Sequence, residues 1–157
     1  MAWKKKTGSV VGFPETIKIT NEDLLKLPVD VLVPAALENV ITKDNAKKIK
    51  TKAIMEMSNG PVTPEADEIL HKRQIISIPD VLANAGGVTV SYFEWSQNLS
   101  GYYWTKQEVL SRLEKIMVTA FARFWDKYKQ LKVAPRMAAY ALAVDRVVKA
   151  MRLRGEI

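Results

Sequence analysis

Val29-Asp30-Val31-Leu32-Val33-Pro34 is the stretch that decides the fold of this chain. A short run that is apolar at nearly every position predicts a strand buried on both faces of a parallel sheet, and Pro34 closes it. The pattern returns twice downstream. Ala53 to Met57 reads as a second strand whose carboxyl end delivers Ser58-Asn59-Gly60, and Ile75 to Ile78 as a third, closed by Pro79. Between them Thr42 is placed to cap a short helix running to about Lys50. Thr63-Pro64-Glu65 opens another helix to about Arg73, with proline at the first helical position, where its missing N–H costs nothing. This alternation predicts α/β layering with parallel strands and right-handed crossovers. Upstream, residues 1–19 read as a loop or ragged strand punctuated by Gly8, Gly12 and Pro14. Thr20-Asn21-Glu22-Asp23 then opens a short helix as a capping box.

From Thr105 the character changes. Thr105-Lys106-Gln107-Glu108 is a capping box, and Val109, Leu110, Leu113, Ile116, Met117, Ala120, Phe121, Phe124, Trp125 and Tyr128 follow at helical spacing. Pro135 starts a last helix bearing Met137, Ala138, Ala141, Leu142, Val144, Val147, Val148 and Met151, which Gly155 is placed to stop. Each large side chain contributes on the order of 1.5–3 kcal/mol when buried, so most of this surface is expected to be core.

Composition narrows the classes. A chain of 157 residues with 48% apolar and 26% charged residues suits one folded domain rather than a disordered segment. It has no cysteine, which excludes disulfides and thiolate metal sites, and no metal-ligand spacing is present. No apolar run approaches a membrane span and the first residues lack a secretory pattern, so the expected location is the cytoplasm. The net charge of +7, with lysines at 4–6 and at 47, 48, 50 and 52, raises nucleic-acid binding. Because that charge carries no specificity by itself, it is read instead as a solvated helix surface.

In open α/β sheets ligands sit at the carboxyl ends of the strands. Pro34-Ala35-Ala36, Ser58-Asn59-Gly60 and Asp80 to Ser91 all fall there. The last segment belongs to the run Asn84-Ala85-Gly86-Gly87-Val88-Thr89-Val90-Ser91-Tyr92-Phe93-Glu94-Trp95, whose adjacent glycines suit a loop that a ligand approaches closely before a helix begins. Val88 and Ser91 stand three apart, on one helical face. His71, the single histidine, reads as a surface residue. Glu65, Asp67 and Glu68 crowd the first turns of a helix and complement its dipole, which leaves them no acid–base role. Glu94 is placed for a structural salt bridge, or to orient Ser91.

With Val29 to Asn39 and Met55 to Asp67, the Asn84 run closely resembles the carboxyl-terminal part of the hexameric glutamate dehydrogenases, the archaeal members most of all. The resemblance extends from about Thr7 to Ile157. The leucine and phenylalanine dehydrogenases differ around the first and second blocks. It implies a partial Rossmann-type, three-layer parallel sheet in residues 1–100 and long carboxyl-terminal helices in residues 101–157. The family's glycine-rich G-x-G-x-x-G turn has no counterpart among the seven glycines, at 8, 12, 60, 86, 87, 101 and 155. The domain that carries the family's catalytic lysines and aspartate has none either.

The resemblance also assigns roles. Ala35, Ala36, Asn59 and Asn84 would line the nicotinamide side of NAD or NADP. Ser91 would bind the side-chain carboxylate of glutamate or 2-oxoglutarate, and Val88 would shape the pocket floor. No catalytic residue is expected within the chain, which alone should be inactive. The alternative is a non-catalytic assembly module whose open sheet edge recruits a complementary N-terminal polypeptide or another copy.

Overall fold

The computed structural model describes residues 2–157, and its frame is a three-stranded parallel sheet. The strands β1 (Val29–Leu32), β2 (Thr51–Met55) and β3 (Ile76–Ile78) lie side by side in chain order. Val29 pairs with Thr51 and Val31 with Ala53, while Ala53 and Met55 pair onward with Ile76 and Ile78. Adjacent residues of β2 face opposite ways, so the sheet has two covered faces. Ile54 joins a core of Ile41, Ala46, Ile49, Val62, Ala66, Leu70 and Ile75. Met55 packs instead with Ile78, Phe124, Ala138 and Ala139 on the other side. This is the expected three-layer α/β arrangement.

The helices are α1 (Ala2–Thr7), α2 (Asn21–Leu25), α3 (Pro64–Lys72), α4 (Asp80–Ala83), α5 (Ala85–Ser100), α6 (Lys106–Leu131) and α7 (Pro135–Leu153). Capping boxes at Thr20/Asp23 and Thr105/Glu108 open α2 and α6 as their sequences require. Thr63 caps α3. At the end of α7, Gly155 adopts φ 72°, its N–H donates to the Arg152 carbonyl, and that of Glu156 donates to Met151. This closes the last turn in the manner that favours glycine.

Four expectations of local structure are corrected. Residues 2–7 are helical rather than ragged, because Lys4 to Lys6 are good helix formers whose charges suit a helix carboxyl end, and the Thr7 hydroxyl bonds back to Trp3 at 2.9 Å. The segment headed by Thr42 forms only a 3₁₀ turn at Ala46–Lys48, since Asn45 folds back onto the Thr42 N–H and the Val40 carbonyl. Gly86 and Gly87 lie inside the first turn of α5, not in a loop. The second strand also begins and ends two residues earlier than expected.

The largest correction concerns burial. Val29, Val31 and Val33 are 38%, 52% and 49% exposed, because β1 is an edge strand with β2 as its one neighbour among the described residues. The long helices follow suit. Phe124 is the one fully buried residue of α6, and Met137, Val144 and Val147 of α7 face outward. No helix among the described residues is long and apolar enough to cross a membrane.

Candidate functional site

The carboxyl ends of the three strands are bound together by short polar links. The Met57 and Ser58 N–H groups both donate to the Pro34 carbonyl at 3.0 Å. The Ser58 hydroxyl donates to the carbonyls of Pro34 and Leu37, which bracket Ala35 and Ala36. Asp80, at the start of α4, accepts from the Gly60 N–H at 2.8 Å, and Gly60 sits at φ 56°, a left-handed turn position suited to glycine. These contacts bring Asn59 to Asn84, whose Nδ2 donates to the Asn59 Oδ1 at 2.7 Å.

The structure therefore gathers four predicted residues, Ala35, Ala36, Asn59 and Asn84, at one end of the sheet. Val88 and Ser91 follow along α5, roughly one and two turns from Asn84. The surface is open. Val88 is 70% exposed, and Ala35, Ala36, Asn59 and Ser91 are exposed as well. The Ser91 hydroxyl donates to the Gly87 carbonyl at 3.2 Å, the local bond that a helical serine makes by default. The Glu94 side chain forms neither an ion pair nor a hydrogen bond among the described residues, so it does not orient Ser91. An apolar groove of about 230 Å³ between α5, α6 and α7, lined by residues such as Thr89, Met117 and Leu142, contains none of the six.

Behind this surface lies a cluster that the sequence reading missed. Arg136, in the first turn of α7, donates through Nη2 to both carboxylate oxygens of Glu56 at 2.6 Å and through Nη1 to Asp80 at 3.0 Å. Its Nε lies 3.8 Å from Asp67. Ser77 of β3 adds a bond to Glu56 at 2.7 Å, and the Glu56 side chain is completely buried. Burial pushes the Glu56 carboxyl up, outweighing the bonds from Ser77 and Arg136 that favour its charged form. Burial likewise raises Asp67. For Asp80 burial also acts upward, but the Gly60 and Val81 N–H groups and Arg136 together hold it below its ordinary value. Arg136 remains a cation, because bonding and charge from Glu56 overcome its own desolvation.

Asp67 stands in the first turn of α3, where it complements the helix dipole as read, and it is also buried beside Arg136. A signal was available in the sequence. Glu56 interrupts an apolar strand end, and Arg136 places a cation where a helix dipole disfavours it, so each required a partner elsewhere.

Against this geometry stands the comparison with known proteins. The family model for Glutamate/Leucine/Phenylalanine/Valine dehydrogenase matches residues 1–155, and the chain belongs to that family. It is 54% identical over 153 residues to the glutamate dehydrogenase of Thermotoga maritima, covering 98% of this chain and 37% of that protein, its carboxyl-terminal part. The solved hetero-hexameric glutamate dehydrogenase of Thermus thermophilus, in a leucine-bound form, is 31% identical with a TM-score of 0.87. That match covers 98% of this chain and 36% of the other. Glutamate dehydrogenase from Peptoniphilus asaccharolyticus is 47% identical with a TM-score of 0.75, over 80% and 32% of the two chains. The chain thus spans about a third of the length of the relatives it matches.

Proposed function

We propose that this chain is the carboxyl-terminal portion of a glutamate dehydrogenase and supplies one wall of a site for NAD or NADP and for glutamate or 2-oxoglutarate. The observation that carries this reading is the Asn59–Asn84 pair. Their mutual hydrogen bond leaves the Asn59 Nδ2 and the Asn84 Oδ1 without partners among the described residues. A free donor and a free acceptor on the paired amides suit a carboxamide, the polar group of nicotinamide. Ala35 and Ala36 offer a small-residue wall nearby, so the nicotinamide end of the cofactor fits. The pyrophosphate end finds no glycine-rich turn in this sequence. When bound, the cofactor supplies hydride acceptance. This chain's own groups bind and orient. Residues 1–100 form an incomplete nucleotide-binding domain, and residues 101–157 the helices that pack on it.

By itself the chain does not turn over glutamate, since the family's lysines and aspartate have no counterparts here. Assaying the purified 157-residue chain with glutamate and NAD or NADP checks this, and strong turnover overturns the reading. A second reading, the assembly module, is favoured by the exposed β1 edge with Val29, Val31 and Val33. It predicts self-association, or capture of a polypeptide supplying the remaining part of the enzyme. Sedimentation tests it, and a monomer persisting at high concentration would exclude self-association.

A further inference from the structure

We propose that Arg136, in a helix that carries none of the ligand-facing residues, is the positioning residue that fixes Asn59 against Asn84. The bond between the two amides is exposed, so water competes with it and it does not hold its own geometry. What holds both partners is Asp80. Its Oδ2 accepts the Gly60 N–H at 2.8 Å, which sets the residue after Asn59. Its backbone carbonyl accepts the Asn84 N–H at 3.1 Å, which sets the start of α5. Its Oδ1 accepts from Arg136 at 3.0 Å, and the same guanidinium grips Glu56, four residues before Gly60 on the same segment. Loop 56–60 and α4 are thus two arms fastened to one planar group.

Two features make arginine necessary there. Its fork reaches Glu56 and Asp80 through different nitrogens at once, which a lysine ammonium on a flexible stem does not reproduce. The side chain is also largely buried, with 14% exposure, so its geometry is shielded from solvent exchange. Because α7 delivers this group, the last helix acts on the ligand face without touching it. The inference rests on the assignment of Asn59 and Asn84 as a ligand-facing pair, and the test separates the two.

Hydrogen exchange by NMR on the 157-residue chain reads the Gly60 and Asn84 backbone amides, with Ile54 and Leu70 as core references. Arg136→Lys and Asp80→Ala should each speed Gly60 exchange about tenfold or more while Ile54 and Leu70 remain unchanged. Titration with nicotinamide mononucleotide, followed at the Asn59 and Asn84 side-chain amides, should give an affinity about tenfold weaker in both variants. Unchanged Gly60 exchange, or a rise only in step with the core amides, overturns the positioning role. Should Arg136→Lys fail to fold, Arg136→Gln carries the same readouts with Asp80, the direct acceptor of the Gly60 N–H, retained. If nicotinamide mononucleotide leaves the wild-type Asn59 and Asn84 signals unmoved, the cofactor assignment falls while the exchange result still decides the role of Arg136.

Discussion

The buried cluster around Arg136 and the open face of Asn59, Asn84, Val88 and Ser91 are neighbours, yet they are built on opposite principles. In the cluster, Arg136, Glu56, Ser77 and Asp80 satisfy one another at 2.6 to 3.0 Å, and the charge that burial would penalise is matched from within the chain. On the open face, the Asn59 amide nitrogen and the Asn84 carbonyl oxygen have no partner among the described residues, and Val88 lies bare. The cluster is thus saturated, whereas the open face keeps hydrogen-bonding groups unused among the described residues. That contrast is what a wall of a larger binding site requires. Rigid groups stand behind it, and unspent hydrogen-bonding capacity faces outward.

The contrast breaks most severely at Arg136. Arg136→Met removes the guanidinium that bridges Asp80 and the buried Glu56, and leaves both carboxylates without it. A loss of about 3–5 kcal/mol is expected, a large part of what a domain of this kind has. Denaturant unfolding measures it. Adding Glu56→Gln to Arg136→Met should restore part of the loss, because it removes the stranded charge.

A smaller effect comes from pH. Glu56 has a raised native pKa, so above the ordinary carboxylate value of 4.5 the folded chain holds a proton that the unfolded chain has released. Stability from this group is therefore present at low pH and declines as pH rises through its native pKa. The stability of the wild type relative to Glu56→Gln should fall across that window and then level off. Asp80, whose pKa is depressed, has the opposite sign: its contribution is present above its unfolded pKa and lost as pH falls through its native value. Asp80 occurs in both chains, so to first order it cancels from the comparison. Chemical denaturation at a series of pH values checks this, and a difference that grows with rising pH would reverse the assignment.

Much of the scaffold was readable from local chemistry. The boxes at Thr20 and Thr105, Pro64 after Thr63, and Gly155 each signal a helix end through bonds within a few residues, and each is found where the spacing puts it. What escaped depends on distance along the chain. Glu56 and Arg136 are 80 residues apart, and no periodicity links them. The valines of β1 read as doubly buried because hydropathy reports what a strand can cover. It does not report whether a neighbour is there to cover it. Residue types and spacing put Asn59 and Asn84 beyond the carboxyl ends of the strands, and the structure brings the two together there. The glycine pair misled because two glycines suggest a loop, while the packing of α5 on α6 carries the helix through them.

On the open face, substitutions should separate stability from recognition. Asn84→Ala breaks one exposed hydrogen bond, with a cost of at most about 1 kcal/mol, yet it removes the free carbonyl oxygen offered to a carboxamide. Nicotinamide mononucleotide binding should then be lost while thermal unfolding hardly moves. If binding survives, the contact lies elsewhere on the sheet end.

Ser91→Ala is the mildest change and the sharpest probe of the proposed carboxylate contact. The hydroxyl donates only to Gly87 of its own helix, at 3.2 Å and in solvent, so stability should stay within about 0.5 kcal/mol of wild type. To meet a carboxylate the hydroxyl need only turn away from that carbonyl, which costs little because the backbone oxygen can bond water instead. Glutarate, which carries the substrate's carboxylates without its amine, should bind this wall weakly, with Kd above about 1 mM, because no lysine or arginine stands on the Val88–Ser91 face of α5 to strengthen the bond. The measurable sign is a glutarate-dependent shift of the Val88 and Ser91 amides by NMR that disappears in Ser91→Ala. Shifts that persist in the variant would place the carboxylate on another group and reduce Ser91 to an ordinary surface residue of α5.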